Sequence, residues 1–153
     1  MATLLAVEAI ANRLPVLFPA HPRTTARIEQ LGLKGRLEAI ANLYPVPPLG
    51  YKDFVTLMAH AKLIATDSGG IQEESTALGV PCLTLRDSTE RPETVAMGVN
   101  VVAGLDPARV TEAVAAMRGK RHAGLPIYGD GAASARILDG IAERVAVRER
   151  RPA

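Results

Sequence analysis

Short apolar runs of strand length recur along the chain, separated by longer stretches in which apolar residues return every three or four positions. The runs predict buried strands, and the longer stretches predict amphipathic helices. Leu4, Leu5, Val7, Ala11 and Leu14 keep roughly helical spacing, which gives an opening helix to about Asn12. Residues 15–20 read as a short buried strand. Pro22 then opens a helix, where its missing N–H costs nothing, and residues 24–31 continue it to a stop at Gly32. Residues 37–43 are ambiguous by period and are taken as a strand from their place in the alternation; residues 44–50, with three prolines, are loop. A helix over 53–60, a strand over 63–66, a helix over 71–78 stopped by Gly79 and a strand over 82–85 follow. The alternation continues with a strand at 100–102, a helix at 107–117 capped by Asp106, a loop over 119–131 and a long amphipathic helix over 132–147. This spacing predicts an α/β protein, a three-layer Rossmann-like fold on a doubly wound parallel sheet. Such a unit normally begins with a strand. This one opens in a helix, so its first strand is expected to be missing.

Composition narrows the core and the partners. Aromatics make up 3% of the chain, so Leu, Val, Ile and Ala must fill the interior. The length of 153 residues suits a single domain, set at residues 1–147, with a basic tail over 148–153 where Arg148, Arg150 and Arg151 stand beside Pro152. A net charge of +2 is too small to argue for nucleic acid or an anionic membrane, and no apolar stretch reaches membrane-spanning length. Cys82 is the single cysteine and sits in an apolar run, the setting of a small buried hydrophobe. The segment 3–14 carries Glu8 and Arg13 and lacks the basic start of a signal peptide, which fits a cytoplasmic protein. Neither a cofactor nor a metal is expected.

The candidate chemistry concentrates between Thr66 and Glu93. The apolar run 62–66 ends in Asp67-Ser68-Gly69-Gly70, and a helix-forming segment starts at once. Two glycines let the backbone approach a ligand closely, and the free N–H groups at a helix start favour an anion such as phosphate. Ser68 alone reads equally as a plain N-cap, and Gly69-Gly70 as a plain tight turn. Crowding tips the balance. Gln72, Glu73 and Glu74 fill the first turn, while Asp87, Glu90, Arg91 and Glu93 fill the end of the next strand, where Arg86 adds a fixed charge suited to a diphosphate. Ligands of open α/β sheets bind outside the carboxyl ends of the strands, where both clusters fall. The pattern reads as half of a nucleotide-sugar pocket.

Several stretches carry a family likeness: His21-Pro22-Arg23-Thr24, Pro48-Leu49-Gly50-Tyr51 with Phe54, residues 66–74, Leu78-Gly79-Val80-Pro81, Leu85-Arg86-Asp87 and Thr89-Glu90-Arg91-Pro92-Glu93. Gly98, Asn100 and Tyr128-Gly129-Asp130-Gly131 complete it. Together they resemble the C-terminal domain of the bacterial non-hydrolysing UDP-N-acetylglucosamine 2-epimerases, whose two Rossmann-like domains make a glycosyltransferase-B type fold. The resemblance implies that Ser68, Gly69 and Gly70 hold the diphosphate and that Glu74 accepts hydrogen bonds from the ribose. Phe54, or the backbone around it, would line the uracil pocket, against a plain reading as a core phenylalanine. Arg86 either lies near the diphosphate or braces Glu90. His21 either lies near the nucleotide-sugar and a regulatory site or is structural. Glu90, Arg91 and Glu93 would brace loops.

The family reaction inverts C2 of the sugar by eliminating UDP to a glycal and adding it back from the other face, which needs acid and base carboxylates. The resemblance puts those carboxylates in the N-terminal domain, and a further His and Arg in the loop after the first strand. Neither region occurs in this sequence, so no catalytic residue is assigned to it. The expectation is a UDP-binding half that takes UDP or UDP-N-acetylglucosamine weakly and does not epimerise alone. Its expected partner is the missing N-terminal domain or a second copy, since a sheet without its first strand exposes edges that invite strand exchange or a homo-oligomer. Two alternatives stand beside it: the donor-binding half of a UDP-sugar glycosyltransferase, and a free-standing UDP-binding module.

Overall fold

Strand and helix alternate along the chain, and every paired strand runs parallel to its neighbour. The computed structural model describes residues 1–124 and 127–149. The elements are α1 (Ala2–Ala11), β1 (Val16–Pro19), α2 (Pro22–Gln30), α3 (Lys34–Glu38), β2 (Leu43–Val46), α4 (Tyr51–His60) and β3 (Ile64–Thr66). They continue with α5 (Gly69–Leu78), β4 (Cys82–Thr84), α6 (Pro92–Ala96), β5 (Asn100–Val102), α7 (Pro107–Met117) and α8 (Ala133–Glu149). The fold is the expected Rossmann-like α/β arrangement, with the parallel strands divided into two sheets, β1-β2 and β3-β4-β5. Val16 of β1 and Leu63 before β3 pack against one and the same apolar cluster, so the two sheets share a core.

Helices cover both faces of the three-stranded sheet. On one side Leu83 of β4 meets Ala6 and Ile10 of α1 and Val110, Val114 and Met117 of α7. On the other, Ile64 and Cys82 meet Met58 of α4 and Val80, with Phe54, Ile71 and Leu78 alongside. All three residues of β4 are buried, as a central strand between two helical layers requires. Burial pushes the Cys82 thiol up to about 12, with a small opposing contribution from a hydrogen bond with Ser75. It is the inert core thiol that its apolar run predicts.

Three local expectations are corrected. Residues 37–43 do not form a strand: Lys34–Glu38 turns as α3, and the strand begins at Leu43. Leu37 and Ile40, three apart, point together into the cluster of Leu4, Ala11 and Leu43, which is helical spacing. The Tyr44-Pro45-Val46 part of the assigned loop belongs to β2. Pro45 is tolerated there because β2 pairs on one side only, with β1. The short α6, started by Pro92, was not foreseen at all. The long C-terminal helix extends through Arg148 to Glu149, while Arg150, Arg151 and Pro152 of the assigned tail lie outside the described residues.

Candidate functional site

The glycine turn follows β3 and the 85–91 loop follows β4, so adjacent parallel strands deliver both to one edge of the sheet. The helix start is built for approach. Ser68 occupies the N-cap position of α5, but its hydroxyl makes no capping bond. The first-turn N–H groups therefore face outward without a side-chain partner. The Ser68 N–H itself is held by the Thr66 hydroxyl at 3.0 Å, which fixes the turn from the strand side. Ser68 and Gly70 are exposed and Gly69 is half-buried. Gly79 closes the far end in the left-handed conformation, at φ 67°, where a Cβ would strike the backbone of His122.

The acidic residues of the first turn part company. Glu73 pairs with the Arg91 guanidinium through Nε, and Arg91 Nη1 also donates to the Glu90 carbonyl at 3.0 Å. That carboxylate raises the Arg91 pKa further above its ordinary value, chiefly through the hydrogen bond. The guanidinium lies over the turn: a Cβ at Gly69 would stand 3.9 Å from Arg91 Cζ and Nη2. Glu74, one residue on, is half-buried and makes no hydrogen bond or ion pair among the described residues. Its carboxylate is free to receive a ligand hydroxyl.

The remaining candidates scatter. Arg86 reaches Glu90 at 3.5 Å, a long and exposed ion pair. Glu93 accepts a 2.8 Å hydrogen bond from the Tyr128 hydroxyl. Its own backbone N–H, and then Tyr128, hold the Glu93 carboxyl below the usual range. Local desolvation of its hydroxyl, and then Glu93, push the Tyr128 phenol up to about 12, although the residue as a whole is exposed. Phe54 packs on the core cluster of Met58, Ile64, Val80 and Cys82. His21 is exposed and caps α2, its Nδ1 accepting from the Arg23 N–H at 3.2 Å. No group of three or more His, Cys, Asp or Glu among the described residues is placed to hold a metal ion.

Beneath the turn lies a network that the sequence reading did not assemble. Gln72 and Asn100 are each 1% exposed. Gln72 Oε1 accepts from Thr89 Oγ1 at 2.6 Å and from Asn100 Nδ2 at 3.1 Å. The Asn100 amide also takes the Thr84 hydroxyl at 2.9 Å and gives to Thr94 Oγ1 at 3.0 Å. The only signal in the sequence was polarity in the wrong place: Gln72, Ser75, Thr76 and Gly79 fall on one helical face, and that face is the buried one.

Residues 1–142 match the family model described as UDP-N-acetylglucosamine 2-epimerase. The UDP-N-acetylglucosamine 2-epimerase of Methanocaldococcus jannaschii is 41% identical over 123 residues, covering 80% of this chain and 34% of that protein. The UDP-2,3-diacetamido-2,3-dideoxy-D-glucuronate 2-epimerase of Pseudomonas aeruginosa is 39% identical over 137 residues, 89% of this chain and 37% of its own length. The solved structure of the Methanocaldococcus jannaschii enzyme in complex with UDP-GlcNAc and UDP superposes with a TM-score of 0.82 at 36% identity, over 93% of this chain and 41% of that one. The chain thus spans about a third of the length of the curated relatives it matches. With its parallel Rossmann-like fold and its glycine turn at the strand ends, the chain belongs to the UDP-N-acetylglucosamine 2-epimerase family.

Proposed function

We propose that this chain is the UDP-binding half of a UDP-sugar 2-epimerase, with residues 1–147 as one domain and 148–153 as a tail. The observation that carries the reading is the uncapped start of α5 with the free Glu74 carboxylate one turn away. Backbone N–H groups of Ser68, Gly69 and Gly70 meet the diphosphate at the positive end of the helix dipole. Glu74 accepts the ribose hydroxyls. Arg86 and Arg91 contribute positive charge beside the turn, and Glu90, Glu73 and Glu93 hold the surrounding loops. The uracil lies by the α4 start near Phe54, and His21 faces the sugar side. The relatives' names differ in the sugar and share the UDP, which supports UDP as the part recognised by this half.

Epimerisation at C2 needs acid and base carboxylates over the sugar ring. They are supplied by a further domain of the whole protein, which closes the cleft and excludes water from it. UDP-N-acetylglucosamine is the substrate, and the cytoplasm the compartment. Among the described residues β1, β2, β3 and β5 each pair on one side only, and such edges favour that docked domain or a second copy of the chain.

The test is a calorimetric or NMR titration of the chain with UDP beside Ser68→Ala and Glu74→Ala. Saturable binding that both substitutions weaken is expected, with no turnover of UDP-N-acetylglucosamine by the 153-residue chain alone. A folded chain that ignores millimolar UDP overturns the half-site; turnover overturns the assignment of the carboxylates elsewhere.

A further inference from the structure

We propose that the buried side-chain amide of Gln72 is a positioning group that joins the glycine turn to the 89–94 loop, so that both answer a diphosphate as one unit. The ligand part of this rests on the diphosphate reading of the turn; the mechanical link does not.

Every polar atom of the Gln72 side chain is engaged, and each bond leads to a different piece of the site. Nε2 donates to the Ser68 carbonyl at 3.3 Å, which is the turn itself. Oε1 receives the Thr89 hydroxyl, which is the loop, and the Asn100 amide, which is the sheet. Donors and acceptors leave one orientation for both amides. Flipping Gln72 would set its NH₂ against the NH₂ of Asn100, and flipping Asn100 would set its Oδ1 against Gln72 Oε1, two acceptors face to face.

The loop end is held as closely. Thr89 Oγ1 accepts from the Arg91 N–H at 2.9 Å, and the Thr94 hydroxyl donates to the Arg91 carbonyl at 2.7 Å. Both backbone groups of Arg91 therefore hang on threonines that hang in turn on Gln72 and Asn100. Among the described residues, the other side-chain tie between turn and loop is the Arg91–Glu73 ion pair, which is about a third exposed on each side and screened by water and salt. The amide path is only part-buried at its ends but pivots on a Gln72 side chain that is 1% exposed and also tied to buried Asn100, which makes it the stiffer connection. A ligand that loads the Gly69 and Gly70 N–H groups shifts the Ser68 peptide. The pull passes through Gln72 and Thr89 to Arg91, whose guanidinium lies over the same turn.

The experiment compares Thr89→Val, which removes the hydroxyl at nearly constant volume, with Thr89→Ser, which keeps it. Backbone amide spectra of the 153-residue chain are followed on titration with UDP and with inorganic pyrophosphate. In the wild-type chain, Gly69, Gly70 and Arg91 should move with one apparent Kd. In Thr89→Val the turn should still respond, Arg91 should fall silent, and Kd should rise roughly three- to tenfold, an effect of the size expected for one buried hydrogen bond. Thr89→Ser should restore both. A concerted response with unchanged Kd in Thr89→Val overturns the proposal, and so does a Thr89→Ser chain that behaves like valine. Thr89→Ala replaces valine if the larger group disturbs the loop.

A ligand-free arm separates the two readings. Gly70→Ala is sterically tolerated, its nearest neighbour being Ser68 Oγ at 3.9 Å, and it perturbs the turn directly. It should displace the Arg91 amide resonance in the wild-type background and leave it unmoved in Thr89→Val. Success here with both titrations blank leaves the link standing and the diphosphate reading refuted. Failure here overturns the link whatever the ligand does.

Discussion

Leu83 and Thr84 are neighbours on one buried strand, yet they face two different kinds of interior. The Leu83 side is an apolar cluster with Ala6, Ile10, Val110, Val114 and Met117. The Thr84 side holds the apolar cluster of Met58, Ile64, Val80 and Cys82 too, but beside it carries Gln72, Ser75, Thr76, Thr94 and Asn100, all buried, with hydrogen bonds running from strand to helix to loop. The first side is non-directional and stabilises in proportion to the area buried. The second contributes little net free energy per bond, yet each unmade bond in it is costly, so it admits a single arrangement. The layer next to the candidate site is the one that fixes geometry. The layer far from it supplies stability.

Substitutions on the two sides should therefore differ in kind. Leu83→Ala should show the largest loss of stability, about 2–5 kcal/mol by urea denaturation, because the site between α1 and α7 cannot collapse onto the cavity. It should leave the amide pattern of the glycine turn intact. Asn100→Ala should lose less, about 1–3 kcal/mol, by stranding the Thr84 hydroxyl and taking one of the two donors from Gln72 Oε1. Its larger consequence should be faster hydrogen exchange at Thr94 and Arg91. Equal exchange effects from both substitutions would erase the division between the two layers.

The apolar layer was legible in the sequence and the polar one was not, and the reason is period. Residues 107–117 coincide with α7, and Asp106 caps it as read, accepting from the Arg109 N–H at 3.0 Å. Its inner face repeats valine, alanine and methionine at helical spacing, which a hydrophobic count detects. The inner face of α5 repeats at the same spacing in Gln, Ser and Thr, so the count sees only a polar helix. Of the candidate site, the turn Ser68-Gly69-Gly70 and its place at the strand ends were readable because they are local. The partners were not: Glu73 meets Arg91 across 18 positions and Gln72 meets Asn100 across 28. Strand 37–43 failed for the related reason that seven residues hold too few apolar positions to tell a period of two from one of nearly four.

On the surface of the site the contrast continues at smaller amplitude. Glu73→Gln breaks the Arg91 ion pair but leaves the amide network whole. Its melting temperature should stay within about 2 °C of the wild type, since exposed pairs contribute little and salt screens them. A drop as large as that of Asn100→Ala would mean that the ion pair, and not the amide network, holds the loop.

The weakest effect lies at the Tyr128–Glu93 contact, and it is read by pH rather than by heat. The Tyr128 phenol is raised from an ordinary 10.0 to about 12, so its contribution is complete below 10.0 and is lost as pH rises through 12. The Glu93 carboxyl is lowered from 4.5, so its contribution is present above that value and is lost as pH falls through the lower, folded one. The contact is thus intact across neutral pH and opens at either extreme. Phenolate absorbance should show a step near 12 that Tyr128→Phe removes. Glu93→Gln should bring that step only part of the way back, because local desolvation of the phenol hydroxyl, on a residue that is itself 48% exposed, comes before the carboxylate among the causes of the shift. A step that returns fully to 10.0 in Glu93→Gln would make the carboxylate the dominant partner, and would tie the 128–131 loop to α6 by charge rather than by packing.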